Sequence, residues 1–352
     1  MTREQRPMPF AVISGAQVAR ALTGREEAVA ELIEATYRMH GAADTVNPPS
    51  YFLRFPERDN ARIIALPTAV GGSRPLAGLK WISSFPDNLS LGVPRASAVL
   101  ILNDRGTGYP VACLEASIIS ASRTAASAAV AADWLTRRNG RPRRIGFLGT
   151  GLIARYTHTY LAGTGWAFDE VGVHDLIPEY ADGFRQYLQR SDSGPVTIHE
   201  SAESLIRSSD LVVFATTAGT PHVTDPSWFD HNPIVLHLSL RDVSTEVIRS
   251  AHNIVDDVEH CLQANTSVHL TEQETGSRDF IDGTLFDVMT GRTAPHTGDR
   301  PTIFSPFGLG VLDLALGGDI HDNLRQSGEL LTVDDFFHDL SRYGGDEPGR
   351  QR

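Results

Sequence analysis

The stretch Arg144-Ile145-Gly146-Phe147-Leu148-Gly149-Thr150-Gly151-Leu152-Ile153-Ala154 decides the fold. Its first five residues read as a short buried strand, and Ile153–Leu161 reads as a helix. A G-x-G-x-x-A turn between strand and helix is what a dinucleotide pyrophosphate needs. Gly149 permits the tight turn, Gly151 lets the backbone approach the phosphates, and Ala154 lets helix and strand pack closely. The N–H groups at the helix start, around Thr150, Leu152 and Ile153, then face the phosphates. The spacing predicts a Rossmann domain.

Working outward, strand signals recur at 170–174, 210–215, 234–238 and 253–255, separated by polar-faced helices such as 178–189. That alternation is the rhythm of a parallel sheet. Asp175 closes the second strand, where a carboxylate accepts ribose hydroxyls and repels a 2′-phosphate; the expected cofactor is NAD rather than NADP. Thr216, Thr217 and Ala218 follow the next strand, on the edge where such sheets bind ligands. Ser239 lies on that edge too, in Leu238-Ser239-Leu240-Arg241-Asp242. Asp242 is therefore a candidate general acid or base beside the cofactor. The competing reading pairs it with Arg241 or makes it a helix cap.

The N-terminal part alternates a helix at 28–39, strands at 62–66, 79–83 and 99–102, and a long Ala-rich helix at 117–135. A further helix is expected to begin within 304–316, and the polar tail 344–352 is expected to fray. The fold class is α/β: a Rossmann domain (131–315) and an α/β substrate-binding and dimerisation domain (1–130 and 316–352). Arg54, Arg62, Lys80, Arg95 and Arg123 stand near strand ends or in apolar runs. A buried cation without a partner is costly, so each is either paired within the fold or awaits an anion. Several together, in a chain of net charge −12, favour carboxylate binding.

That acidic balance argues against nucleic-acid or anionic-membrane partners. Apolar residues make up 41% of the chain, without a run long enough to span a membrane. The first nine residues show no secretory signal, and the two cysteines show no metal-ligand spacing. A cytoplasmic location is the expectation, with no metal.

Gly78-Leu79-Lys80-Trp81-Ile82-Ser83-Ser84-Phe85-Pro86-Asp87-Asn88, Asp104-Arg105-Gly106-Thr107-Gly108-Tyr109-Pro110, Arg123-Thr124-Ala125-Ala126 and Phe304-Ser305-Pro306-Phe307-Gly308 together resemble the ornithine cyclodeaminase/μ-crystallin family. The resemblance runs from about Asn47 to about Asp313. It implies a homodimer joined through the second domain. It implies that Arg54, Lys80 and Arg123 grip a substrate carboxylate, that Asp242 is catalytic with Lys80 as a possible assistant, and that Gly308 joins the cofactor contacts.

Two departures redirect the substrate. Ornithine cyclodeaminases carry a Glu in the strand that here reads Ile63-Ile64-Ala65-Leu66-Pro67, and a Thr where this chain has Arg95. The runs 46–56 and 237–242 resemble the branch of the family that forms L-2,3-diaminopropionate for siderophores and peptide antibiotics. The implied substrate is an amino-acid conjugate, N-(2-amino-2-carboxyethyl)-L-glutamate, cleaved oxidatively to diaminopropionate and 2-oxoglutarate, with Arg95 holding an extra carboxylate. An ornithine or lysine cyclodeaminase, another imine reductase, and a ligand-binding protein without turnover are the alternatives.

Overall fold

The computed structural model describes residues 9–191 and 194–337; the tail expected to fray lies outside them. Two sheets organise the chain. The first is mainly antiparallel, in the order Leu331–Val333, Phe10–Ile13, Pro110–Glu115, Ala96–Asp104, Leu76–Ser84, Arg58–Val70 and Thr45–Val46; Tyr51–Phe55 also pairs with Arg58–Val70. Its helix-covered face packs against Glu26–Gly41, Ser117–Thr136 and Gly310–Ser327. Ser117–Thr136 is small-sided and buried all round, which suits a helix wedged between neighbours.

The second sheet has eight parallel strands in the order Val196–Ile198, Glu170–His174, Arg144–Leu148, Leu211–Phe214, Ile234–His237, Thr302–Ser305, His252–Val255 and Ile281–Thr284. The first five follow the 3-2-1-4-5 order of a dinucleotide-binding sheet. Their central residues, among them Phe147, Val173, Val213 and Leu236, are fully buried. Near-continuous apolar runs are what strands covered on both faces require.

The helix expected to begin within 304–316 begins at Gly310, and Phe304 lies before it in the strand Thr302–Ser305. Pro306 and Gly308, the latter at φ +95°, break the chain between them, and the buried Thr302-Ile303-Phe304 suits a central strand. The strands Phe10–Ile13, Tyr51–Phe55, Pro110–Glu115 and Ile281–Thr284 escape the sequence reading.

Candidate active site

The Gly turn has the predicted form. Gly149 sits at φ +81°, and a Cβ there would lie 2.7 Å from the Ala215 carbonyl oxygen, so only glycine fits. Gly151 caps the helix Leu152–Gly163, and the space where its Cβ would stand is open to 4 Å. Ala154 is fully buried. Asp175 faces back onto the turn. Its Oδ2 accepts from the Thr150 N–H at 2.9 Å and hydroxyl at 2.7 Å, and its Oδ1 from the Ile177 N–H at 3.1 Å. The carboxylate thus holds the turn in shape and keeps lone pairs for a ribose. Helix N-terminus, open glycine and acid together fit a dinucleotide.

Lys80 and Arg123 meet over an acid that sequence reasoning missed. The fully buried Asp313 accepts from Lys80 Nζ at 2.6 Å and from Arg123 Nε at 3.2 Å. Ser120 Oγ lies 3.4 Å from both Lys80 Nζ and an Arg123 Nη. One carboxylate between two cations leaves a net positive charge in a nearly dry place. Burial drives the Lys80 ammonium down, Asp313 opposes and Arg123 reinforces, and the outcome is about 8. The Gly308 Cβ position would lie 2.5 Å from the Arg123 guanidinium. A second missed acid, Asp256, accepts from the Phe307 and Gly308 N–H groups at 3.0 and 2.7 Å and fixes that close approach.

The other arginines stand further along the same face. Residues paired directly across antiparallel strands share a face, and the pairs run Leu66–Lys80, Ile64–Ile82 and Arg62–Ser84. Arg54 pairs with Arg62 on the other side, and Arg95 donates to Ser84 Oγ at 2.8 Å. Arg54, Arg62 and Arg95 therefore form one cross-strand row, about 13 Å from Lys80 at ~3.3 Å per residue. Arg241 reaches them from the parallel-sheet half, anchored on the carbonyls of Ala264 and Asn265 at 2.6 and 2.8 Å. Burial lowers the guanidinium pKa of Arg62, Arg95 and Arg241; mutual repulsion lowers it further at Arg62, from Arg241, Arg95 and Arg54, and at Arg241, from Arg54. Among the described residues, none of these four cations has a carboxylate partner.

Asp242 has no exposed surface. Thr216 and His222 serve its Oδ1, and Ser239 and His237 its Oδ2, the two imidazole Nε2 atoms at 3.1 and 3.2 Å. Burial alone would raise its pKa. The hydrogen bonds from His222, His237 and Ser239 outweigh that and hold it well below the usual carboxylate range. Thr216 and Ser239, expected at the cofactor, thus also grip Asp242, and Ala218 donates its N–H to Thr216 Oγ1 at 3.1 Å. Thr217 is exposed on the same loop. Arg241 does not pair with Asp242. The histidines around Asp242 carried no legible signal, because they lie at offsets without a motif.

The sequence profile of the ornithine cyclodeaminase/mu-crystallin family matches residues 14–328. The chain belongs to that family. N-((2S)-2-amino-2-carboxyethyl)-L-glutamate dehydrogenase of Staphylococcus aureus is 29% identical over 84% of this chain and 89% of its own. Alanine dehydrogenase of Archaeoglobus fulgidus is 27% identical over 86% of this chain and 92% of its own. The Δ(1)-pyrroline-2-carboxylate reductase of Thermococcus litoralis, solved with NADH and L-proline, superposes with a TM-score of 0.84 at 22% identity, covering 92% of this chain and all of that one. This last likeness is one of fold. Among the described residues no helix is long and apolar enough to cross a membrane, and no cluster suits a metal ion.

Proposed function

We propose that this family member is an NAD-dependent oxidoreductase acting on a CH–NH bond, and that its substrate is N-(2-amino-2-carboxyethyl)-L-glutamate. The observation that carries the substrate choice is the row Arg54, Arg62 and Arg95, joined by Arg241 and without an acidic partner among the described residues, on the face that also bears Lys80. The conjugate has three carboxylates. In this reading Lys80 and Arg123 take the carboxylate beside the reacting carbon, in the subsite that Asp313 leaves one negative charge short. The arginine row takes the distal carboxylates, through the bidentate pairing that guanidinium offers and ammonium does not. A substrate with one carboxylate, such as alanine or ornithine, leaves that row unused.

The Gly149–Ile153 turn, Asp175, Thr216–Ala218, Ser239 and Gly308 would hold NAD, which when bound would supply the hydride acceptor for the glutamyl Cα. The chain's own groups orient that carbon and shift protons. The secondary amine becomes an imine, water adds, and collapse releases 2-oxoglutarate and L-2,3-diaminopropionate. On the opposite face of the antiparallel sheet, Tyr51, Trp81 and Val99 form an exposed apolar row, which supports the homodimer implied by the family.

The test is NAD reduction by the synthetic conjugate, followed at the NADH absorbance, with mass spectrometry of the products. The expected result is 2-oxoglutarate and diaminopropionate in step with NADH. Proline formed from ornithine, with the conjugate untouched, overturns the reading.

A further inference from the structure

The sequence makes Asp242 a candidate proton carrier, and in the folded chain it is fully buried. A general base must come within hydrogen-bond distance of the proton it moves, directly or through one water. Asp242 has no exposed surface; its Oδ1 accepts from Thr216 and lies against His222, its Oδ2 accepts from Ser239, and His237 Nε2 stands 3.2 Å from both Oδ2 and the Asp242 backbone nitrogen. His222 is the member of that cluster open to solvent: its side chain is 42% exposed while that of His237 is at 0%. It stands at the end of the loop that follows the strand Leu211–Phe214, next to Asp242 through two contacts. Its N–H donates to the Asp242 carbonyl at 2.9 Å, and its Nε2 lies 3.1 Å from Oδ1. The other groups on Asp242, Thr216 and Ser239, come from the C-terminal ends of parallel strands, the edge where such sheets hold their ligands.

A carboxylate hydrogen-bonded to one imidazole nitrogen fixes the tautomer and orientation of the ring and stabilises the imidazolium that forms when the other nitrogen takes a proton. Among the described residues, nothing bonds the second nitrogen, Nδ1, of His222. We propose that His222 carries the proton in the hydrolytic half of the reaction and that Asp242 is its positioning residue. The step balances within the substrate and one water. Water adds to the imine carbon and forms a C–O bond, while His222 Nδ1 takes its proton. That proton passes to the nitrogen; the new hydroxyl then gives up its own proton, through His222, to the same nitrogen as its oxygen forms the C=O bond and the C–N bond breaks, so a ketone and a primary amine leave. No electrons are exchanged in this half. The inference rests on the C–N-cleaving reading above, but not on which conjugate is cleaved.

The experiment compares the wild-type enzyme with His222→Ala and Asp242→Asn, all assayed with NAD and the conjugate after NADH binding and thermal melts confirm folding. His222→Ala is expected to lower kcat by about 100- to 10,000-fold, the range of a lost general acid/base, with KM and NADH binding little changed. Added imidazole is expected to restore part of the kcat of His222→Ala and none of that of Asp242→Asn, a readout that a packing role does not move. Turnover of His222→Ala within threefold of wild type, or a loss that imidazole leaves untouched in a folded variant, overturns the proposal. Failure of the wild-type enzyme itself to reduce NAD with the conjugate would instead overturn the proposed function, so the two failures are told apart.

Discussion

Two groups of cations share one face of the antiparallel sheet and are treated in opposite ways. At one end, Lys80 and Arg123 are buried over Asp313, so half of their charge is answered within the fold. At the other, Arg54, Arg62 and Arg95, with Arg241 across from them, repel one another and have no carboxylate partner among the described residues; Arg95, Arg241 and Arg54 have hydroxyl, carbonyl and ring partners. A dry cation cannot wait for its ligand without a counter-charge, whereas a half-exposed one can, because water screens it meanwhile. The difference in burial thus assigns a preorganised subsite to one end and a ligand-completed subsite to the other.

The largest effect expected from this contrast falls on folding. Asp313→Asn leaves two buried cations facing each other, and removing one member of a buried ion group costs about 3–5 kcal/mol. Urea denaturation of the ligand-free protein should show it. A loss below about 1 kcal/mol would mean that Lys80 and Arg123 reach water when Asp313 is gone, and the contrast between the two ends would disappear.

At the other end the effect moves from stability to binding. Arg62→Ala and Arg95→Thr each leave a distal substrate carboxylate unpaired, which costs about 2–5 kcal/mol, or a fall of about 30- to 4,000-fold in kcat/KM at 1.4 kcal/mol per tenfold. The loss should appear mainly as KM. Steady-state kinetics with the conjugate measure it, and unchanged kinetics in both variants would remove the row from the substrate site.

How legible was this in the chain? The Gly turn, Asp175 and the strand rhythm around them were readable because each rests on contacts within about thirty residues. Lys80, Arg123 and Arg95 were readable as misplaced charges in apolar surroundings. Their organisation was not. Asp313 lies 190 residues beyond Arg123 and is one acid among the 43 acidic residues of the chain, so nothing local marks it as a counter-ion. The same holds for Asp256 beneath Gly308. Arg241 was read as a possible partner of its neighbour Asp242, but the positive φ of Leu240, +76°, accompanies a turn in which Arg241 goes to the arginine row while Asp242 is buried. Such a separation of adjacent side chains is set by tertiary packing, not by spacing.

A smaller, graded effect concerns pH. Lys80 must be protonated to hold a carboxylate, and its folded value of about 8 lies below the ordinary 10.5. Hence kcat/KM should be flat up to about pH 8 and fall about tenfold per unit above it, with the break in kcat displaced upward by the bound carboxylate. Linkage gives the opposite sign for stability. Below pH 8 both states hold the proton and the cost of burying the charge is fully present; between about 8 and 10.5 only the unfolded chain still holds it, so stability rises with pH. Denaturation of Lys80→Met should lack that rise. A kcat/KM profile flat to pH 10 would show that Lys80 does not hold the carboxylate.

The smallest effect is the one that separates the two ends most sharply, because its sign is reversed. In the ligand-free protein Arg95 contributes one hydrogen bond, to Ser84, and adds a like charge to Arg62. Arg95→Thr removes both, so the gain from relieved repulsion offsets the lost bond and stability should stay within about 0.5 kcal/mol of wild type, the range of substitutions away from packed cores. Added salt sharpens the measurement. Repulsion between half-exposed charges is screened over a Debye length of about 10 Å at 0.1 M, so wild-type Tm should rise with sodium chloride more than that of Arg95→Thr, while Asp313→Asn, whose charges are dry, should respond least. A loss above about 2 kcal/mol in Arg95→Thr would mean that this arginine is built into the fold as Lys80 is, and that the row does not wait for a ligand.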